Sequence, residues 1–219
     1  MASLPHVDTT GSARRSPRRL TRTARASQLV EIAMPVIAEQ GFTEFSLDEV
    51  AERADVTRNL LYHYFPRGRP DLAVAVVERA GHELTDGWVT DESIPIEQRQ
   101  TENNARIVAH ALQPTDAWRI YRLVRGTTAP DLRVIHDRFV DLLVCNMSLN
   151  QLGTPDPPPL ARMALRGYLA FTESVLDDMR VSSVPPEQIV VMLNETLAGS
   201  IRAARAGDAG EQAVSPARR

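Results

Sequence analysis

Apolar residues recur at intervals of three and four along most of the chain, and no stretch alternates apolar and polar positions for more than a few residues. That periodicity predicts an all-α protein. A first helix is expected over about Ala24 to Gln40, with Leu29, Ile32, Ala33, Val36 and Ile37 on its inner stripe and Gly41 as its stop. Pro35 stands in its middle. A helix-interior proline removes one backbone hydrogen bond and costs roughly 3 kcal/mol, so a kink or a helix in two pieces is expected there. Phe42 and Phe45 are expected to close a small three-helix core over Leu47 and Leu61. A linker helix follows, Leu72 to about Asp86, with Asp71 as its cap. Further helical patterns cover about 96–112, 115–125, 130–151, 158–181 and 185–206. Proline-rich breaks at 154–159 and 184–186 separate the last three, and proline at a helix start sacrifices no bond.

The stretch from Ser46 to Phe65 is the most informative. Ser46 with Glu49 has the spacing of a capping box, in which hydroxyl and carboxylate each satisfy a free backbone N–H. Leu47, Val50, Ala51 and Ala54 form one narrow apolar face. The pattern breaks at Ala54-Asp55-Val56, and Thr57 offers a hydroxyl to cap a second short helix. In that helix Leu61, Tyr64 and Phe65 can point inward together, which leaves Arg58, Asn59, Tyr62 and His63 outside. A solvated helix face usually carries Glu, Lys and Ala. Here it carries a guanidinium, an amide, a phenol and an imidazole, groups that hydrogen-bond base edges and phosphates. Two short helices across a tight turn with such a face read as a helix-turn-helix.

Glu-Val-Ala-Glu-Arg-Ala-Asp-Val-Thr-Arg-Asn-Leu-Leu-Tyr-His-Tyr-Phe, with Gly41-Phe42-Thr43 before it, resembles the TetR-type family of bacterial transcriptional regulators. The resemblance covers roughly residues 23–72. It implies an all-helical homodimer with an N-terminal DNA-binding domain and a larger C-terminal domain for ligand binding and dimerisation. Asp55 stands where the family usually has a turn glycine; aspartate tolerates a left-handed backbone better than most residues. Asn59 replaces a small residue, so base preference does not carry over from relatives.

Composition adds boundaries. The 219 residues suffice for one or two domains with a sizeable core, and a charged fraction of 24% is ordinary for globular proteins. No run approaches the roughly 18 apolar residues of a membrane span, and no secretory signal pattern is visible. Cys145 stands alone, which fits a reducing compartment, so a cytoplasmic protein without membrane partners is expected. The net charge of −3 hides a basic excess within the N-terminal part, where a polyanion would dock. All 25 basic residues are Arg, a bias that fits GC-rich coding and is not by itself evidence for nucleic acid. The expected organisation is a disordered basic arm over 1–22, a DNA-binding domain over 23–72 (motif 46–65), an effector-binding and dimerisation domain over 73–206, and a flexible tail over 207–219. Arg14, Arg15, Arg18, Arg19 and Arg22 make the arm either a solvated tail or an extension along the minor groove or phosphates.

The candidate DNA-facing residues are Ser46, Thr57, Arg58, Asn59, Leu60, Tyr62, His63, Arg67 and Arg69. Arg58 is the candidate base reader, because a guanidinium bridges O6 and N7 of guanine; Asn59 can pair with adenine or face the backbone. Leu60 suits either a thymine methyl or inter-helix packing, and Tyr62 either a phosphate or the core. Thr57, Tyr62 and His63 match positions that commonly touch phosphate in the family. Arg67 and Arg69 read as phosphate clamps or as solvated charges. For an effector cavity the candidates are Trp118, Tyr121, Arg122 and Phe139; for a subunit seam, Leu169, Leu176, Val190, Leu193 and Leu197. The last helix carries more apolar positions than one buried stripe requires, and a surplus of that kind often marks an interface.

An enzyme is the rival class. Its best pair, Cys145 and His136, lies nine residues apart on one expected helix, about 13.5 Å along the axis and too far for proton transfer. No histidine spacing suits a metal, and no glycine-rich phosphate loop is present. The expectation is a non-enzymatic regulator without metal or cofactor. Its partners would be a duplex operator, a small-molecule effector and a second copy of the chain. Repression is the leading reading, activation or effector-independent DNA binding the alternatives.

Overall fold

The computed structural model describes residues 21–214, with side-chain surroundings through residue 206. Residues 1–20 of the expected arm and residues 215–219 of the expected tail lie outside the described residues. Nine helices and no strand occur among those described: α1 (Arg22–Glu44), α2 (Leu47–Arg53), α3 (Arg58–Tyr64), α4 (Arg69–Thr85), α5 (Ile96–Leu112), α6 (Asp116–Arg125), α7 (Pro130–Leu152), α8 (Pro159–Met179) and α9 (Pro186–Val214). The all-α expectation holds, and the helical periodicity placed every element to within a few residues up to the end of α8.

Local chemistry accounts for the N-terminal elements. Thr21 caps α1 by accepting the Ala24 N–H at 3.2 Å, so Arg22, counted with the arm, is instead the first residue of a helix. The break expected at Pro35 does not occur there. The backbone stays helical through Pro35 and departs at Gly41, with φ 79° and ψ 171°. Proline's fixed φ is itself helical, so the helix continues through it despite the missing N–H and the crowding of the ring against the preceding turn; a positive φ is what glycine permits. Past Gly41, Phe42 to Glu44 resume a short helical turn before Phe45, which is fully buried.

The capping box at α2 is half built. The Ser46 hydroxyl accepts the Glu49 N–H at 3.3 Å, as expected, but the Ser46 N–H goes to Gln40 Oε1 at 3.1 Å. Gln40 Nε2 then donates to the Glu49 carboxylate at 2.5 Å. The amide of Gln40 thereby stands in for the reciprocal arm and ties α1 to α2. At the turn, Asp55 takes φ 51°, the left-handed conformation that the missing glycine would have supplied. Gly68, with φ 72° and ψ −119°, is the N-cap of α4. Asp71 therefore sits in the first turn of α4 rather than at its cap, and accepts the Arg67 N–H at 2.8 Å.

One continuous apolar cluster runs from Leu29 and Ile37 of α1 through Val76 and Ala80 of α4 and Ile120 of α6 to Leu165, Leu193 and Ile201. α4 packs on α1, α6 and α7, while α8 and α9 pack on each other and on α5. A polar seam crosses this second layer. Asn104, 1% exposed, donates to Asn194 Oδ1 at 2.8 Å and accepts the Tyr168 hydroxyl at 3.0 Å. Asn194 donates onward to Thr101 at 2.9 Å, and buried Arg99 donates to Asn150 at 2.9 Å. The seam fixes how α5 sits against α7, α8 and α9. Burial raises the Tyr168 pKa, so its hydroxyl remains a donor at any physiological pH.

Replacing Asn104 with Leu takes one hydrogen-bond partner from the half-buried Asn194 carboxamide and one from the buried Tyr168 hydroxyl. The expected cost is about 1–3 kcal/mol, measured as a fall in the urea midpoint; an unchanged midpoint would mean that the seam adds nothing.

Candidate nucleic-acid interface and adjoining cavity

α3 is only seven residues long, and its direction is set at both ends. Thr57 accepts the Leu60 N–H at 3.3 Å, and Leu61 and Phe65 are buried beneath it. Arg58, Asn59, Tyr62 and His63 remain exposed on the opposite side, with Leu60 half-buried between the two faces. Tyr62 is 40% exposed, so the outward of its two alternatives is the one adopted. Its ring closes over Gly68, where an added Cβ would stand 2.9 Å from Tyr62 Cε1. His63 packs edge-on against Tyr64, with ring centroids 5.2 Å apart, and Arg22 lies over the Tyr64 ring at 5.9 Å. Ser46, the α2 cap, is half-buried at the other end of the motif.

Arg58 is already oriented. Its Nη1 donates to both oxygens of Asp48, at 2.9 and 2.7 Å, and the guanidinium lies over the Tyr62 ring at 5.8 Å. The hydrogen bond to the Tyr62 hydroxyl and the Asp48 carboxylate both raise its pKa, so its charge is secure. Nη2 meanwhile donates to the Tyr62 hydroxyl at 3.4 Å, so both terminal nitrogens are held at the surface of the motif by partners that a guanine edge would have to replace.

Arg67 and Arg69 are engaged within the protein. Arg67 Nε donates to Asp71 at 2.6 Å and its Nη1 to Asp131, the second residue of α7, at 2.8 Å. The Arg67 pair lowers the Asp71 pKa, chiefly through the backbone N–H. Arg69 donates to the Thr43 carbonyl at 3.1 Å and lies over the Phe45 ring at 5.7 Å. Arg69 thus closes α1 onto α4, and Arg67 joins the recognition segment to the second layer.

A cavity of about 490 Å³, counted to the side-chain surfaces and including its mouth, lies among α4, α5, α6, α7 and α8. Trp118, Tyr121 and Phe139, three of the four residues expected there, line it. Arg122 does not; it pairs with Asp177 at 3.0 Å beside the cavity. Leu169 and Leu176, expected at a subunit seam, are also wall residues. Thr172 and Glu173 complete the α8 wall and escaped the sequence reading, although they share the three- and four-residue spacing of Leu169 and Leu176. Of the remaining seam candidates, Leu193 and Leu197 are covered by the chain itself, at 0% and 1% exposed, and Val190 is half-buried. The apolar residues α8 and α9 leave in solvent are instead Leu160, Met163, Val191 and Met192.

Comparison with known proteins places this architecture. A family profile for bacterial regulatory proteins of the tetR family matches residues 29–76. The HTH-type transcriptional activator FasR of Mycolicibacterium smegmatis is 35% identical over 69 residues, which span 32% of this chain and 31% of that protein. A crystal structure of a tetR-family transcriptional regulator from Streptomyces coelicolor is similar with a TM-score of 0.70 at 23% identity, over 89% of this chain and 87% of that one. The fatty acid degradation regulator FadR from Bacillus halodurans is similar with a TM-score of 0.61 at 15% identity, over 79% and 97%. At these identities the structural likeness speaks for the fold.

Gly68→Ala should destabilise the protein by about 1–3 kcal/mol, because the backbone there is hostile to an L side chain and the new methyl meets Tyr62. In a Tyr62→Ala background only the backbone strain remains, so the measured melting penalty should shrink; an equal penalty in both would show that the ring contact is immaterial.

Proposed function

We propose that this chain, a TetR-family protein by its helix-turn-helix domain and its helical frame, is a homodimeric, sequence-specific transcriptional regulator that responds to a small molecule. The observation that carries the reading is the outward face of α3. Arg58, Asn59, Tyr62 and His63 stand in solvent on a capped helix, and Asp48 and the Tyr62 hydroxyl hold the Arg58 guanidinium in place on its surface. Each has a task at duplex DNA. Arg58 reads a guanine through O6 and N7, and Asn59 offers an amide to adenine or to the backbone. Leu60 can meet a thymine methyl, while Thr57, Tyr62 and His63 hydrogen-bond phosphate oxygens.

Met163 on α8, with Val191 and Met192 on α9, supports pairing of two copies through these adjacent helices. An isologous pair presents two copies of α3, so the operator is an approximate palindrome with half-sites spaced by turns of the duplex. The cavity supplies the response. α7 contributes Phe139 to its wall and, from its first turn, Asp131 to Arg67 beside α3. A ligand that favours another position of α7 therefore moves the recognition helix, acting through its difference in affinity for the two states. Release from the operator makes the protein a repressor acting in the cytoplasm. FasR, named an activator, supports the second reading, activation from the same DNA-binding domain; a reporter assay with the gene deleted separates the two.

The primary test is binding of the purified protein to DNA flanking its own gene, against a scrambled fragment, across a salt series. Selective binding that persists at physiological salt is expected, with Arg58→Ala losing discrimination at one base position by about 1–3 kcal/mol. Equal binding to both fragments that vanishes with salt would overturn the reading. Asp131→Asn removes the charge that holds Arg67 Nη1, leaving Nε on Asp71, and should steepen the slope of log K against log salt by about 0.9 per protomer if that end then meets a phosphate. An unchanged slope would keep Arg67 off the DNA.

A further inference from the structure

We propose that the cavity takes an uncharged, largely apolar molecule bearing a hydrogen-bond acceptor, held by the indole N–H groups of Trp88 and Trp118. The proposal rests on the effector reading above and names the chemistry of that ligand.

Buried polar atoms without partners are rare in folded proteins, and a cluster of them needs an explanation. Among the described residues the unpartnered buried side-chain atoms are Trp88 Nε1, Trp118 Nε1, Thr172 Oγ1, His136 Nε2 and Arg99 Nε. The first three belong to residues that line this one cavity, and His136 borders a smaller recess that shares Tyr121 and Phe139 with it. Trp118 is 6% exposed and Thr172 5%. An indole nitrogen donates and cannot accept, so what satisfies it must bring a lone pair. The rest of the wall is hydrocarbon and ring: Leu84, Ile107, Phe139, Leu143, Leu169 and Leu176. The occupant therefore has an apolar body with an oxygen or nitrogen acceptor on it.

Charge decides between a neutral acceptor and a carboxylate. Glu173 accepts the Tyr121 hydroxyl and pairs with Arg125 at 3.0 Å. Arg125 also reaches Asp177 at 3.3 Å, and Arg122 pairs with Asp177 at 3.0 Å. Two guanidiniums and two carboxylates thus close on one another. Burial, followed by the Glu173 carboxylate, drives the Tyr121 ionisation far upward, so its proton stays as the donor to Glu173. His110, half-buried on α5, is the other titratable group on the wall. An anion entering here would lose its water and meet Glu173 without a committed counter-charge, whereas a ketone, ester or amide carbonyl loses little and gains the indole donors.

Trp88 and Trp118 are the two tryptophans of the chain, so intrinsic fluorescence reports this cavity alone. The full chain is titrated with methyl hexyl ketone, octanoate and n-octane, which share chain length and differ in the acceptor. The ketone should bind at least about 10-fold more tightly than either. Trp118→Phe, which keeps the ring and removes the N–H, should weaken the ketone about 2- to 10-fold while leaving octane unchanged. Octanoate binding as well as the ketone would overturn the neutral assignment. Octane matching the ketone would mean that the indoles are satisfied by water or not at all, and the absence of a spectral change with all three would also sink the proposal. Circular dichroism checks the fold of the variant, and Trp88→Phe repeats the test with Trp118 as reporter. No DNA is present, so failure here leaves operator binding untouched, and failure of operator binding leaves this result intact.

Discussion

Everything in this molecule is arranged around α4, which has to be buried on several sides at once. Its residues Leu72, Ala73, Val76, Val77, Ala80 and Leu84 are covered, and they face α1 of the N-terminal layer together with α6 and α7 of the second. A helix with neighbours on that many sides cannot carry large side chains all round. Ala73, Ala80 and Gly81 let the partners come close, and a Cβ on Gly81 would stand 3.1 Å from the Phe139 ring. That approach brings Phe139 into the cavity wall. The same rod begins at Gly68, directly under Tyr62 of the recognition helix. Cavity and exposed α3 face are therefore two ends of one packing problem, and close-packed interiors transmit small displacements rather than absorb them.

The second organising fact is electrostatic. The arginines nearest the recognition helix are engaged: Arg58 with Asp48, Arg67 with Asp71 and Asp131, Arg69 with the Thr43 carbonyl. Exposed pairs of this kind contribute about 0–1 kcal/mol each, since water and salt screen them. They hold direction more than they hold stability. Exchanging a weak surface pair for a phosphate or a guanine edge costs little, so a side chain can be positioned before DNA arrives and still be available to it. Both residues must exchange partners to meet DNA: Arg58 gives up Asp48 or the Tyr62 hydroxyl, and Arg67 gives up Asp131.

Sequence and structure agree where the deciding forces act over a few residues. The Ser46 and Thr57 caps, the turn at Asp55, the stop at Gly41 and the inward set Leu61 and Phe65 follow from spacing and from the shapes of single residues. Pro35 is decided locally too. Its missing N–H predicts a break, but its fixed φ is helical, and the backbone leaves the helix six residues later at the glycine that permits it. The half-built capping box shows the boundary of local rules, because Gln40 replaces the Glu49 arm only once α1 and α2 lie side by side.

What the chain determined alone is thus the helices, their ends and the outward chemistry of α3, because hydrogen-bond registers and apolar periods are properties of neighbours three and four apart. What the tertiary structure decided is which apolar faces meet. Leu169, Leu176, Leu193 and Leu197 have the same sequence signature, yet two line a cavity and two fill the core between α8, α9 and α5. Arg122 reads like a cavity residue until Asp177 claims it. Glu173 shares the spacing of Leu169 and Leu176 but is charged, and its place on the wall depends on Tyr121 and Arg125, more than forty residues away. Hydrophobic burial is strong but without direction, so a stripe states that something covers it and packing alone says what.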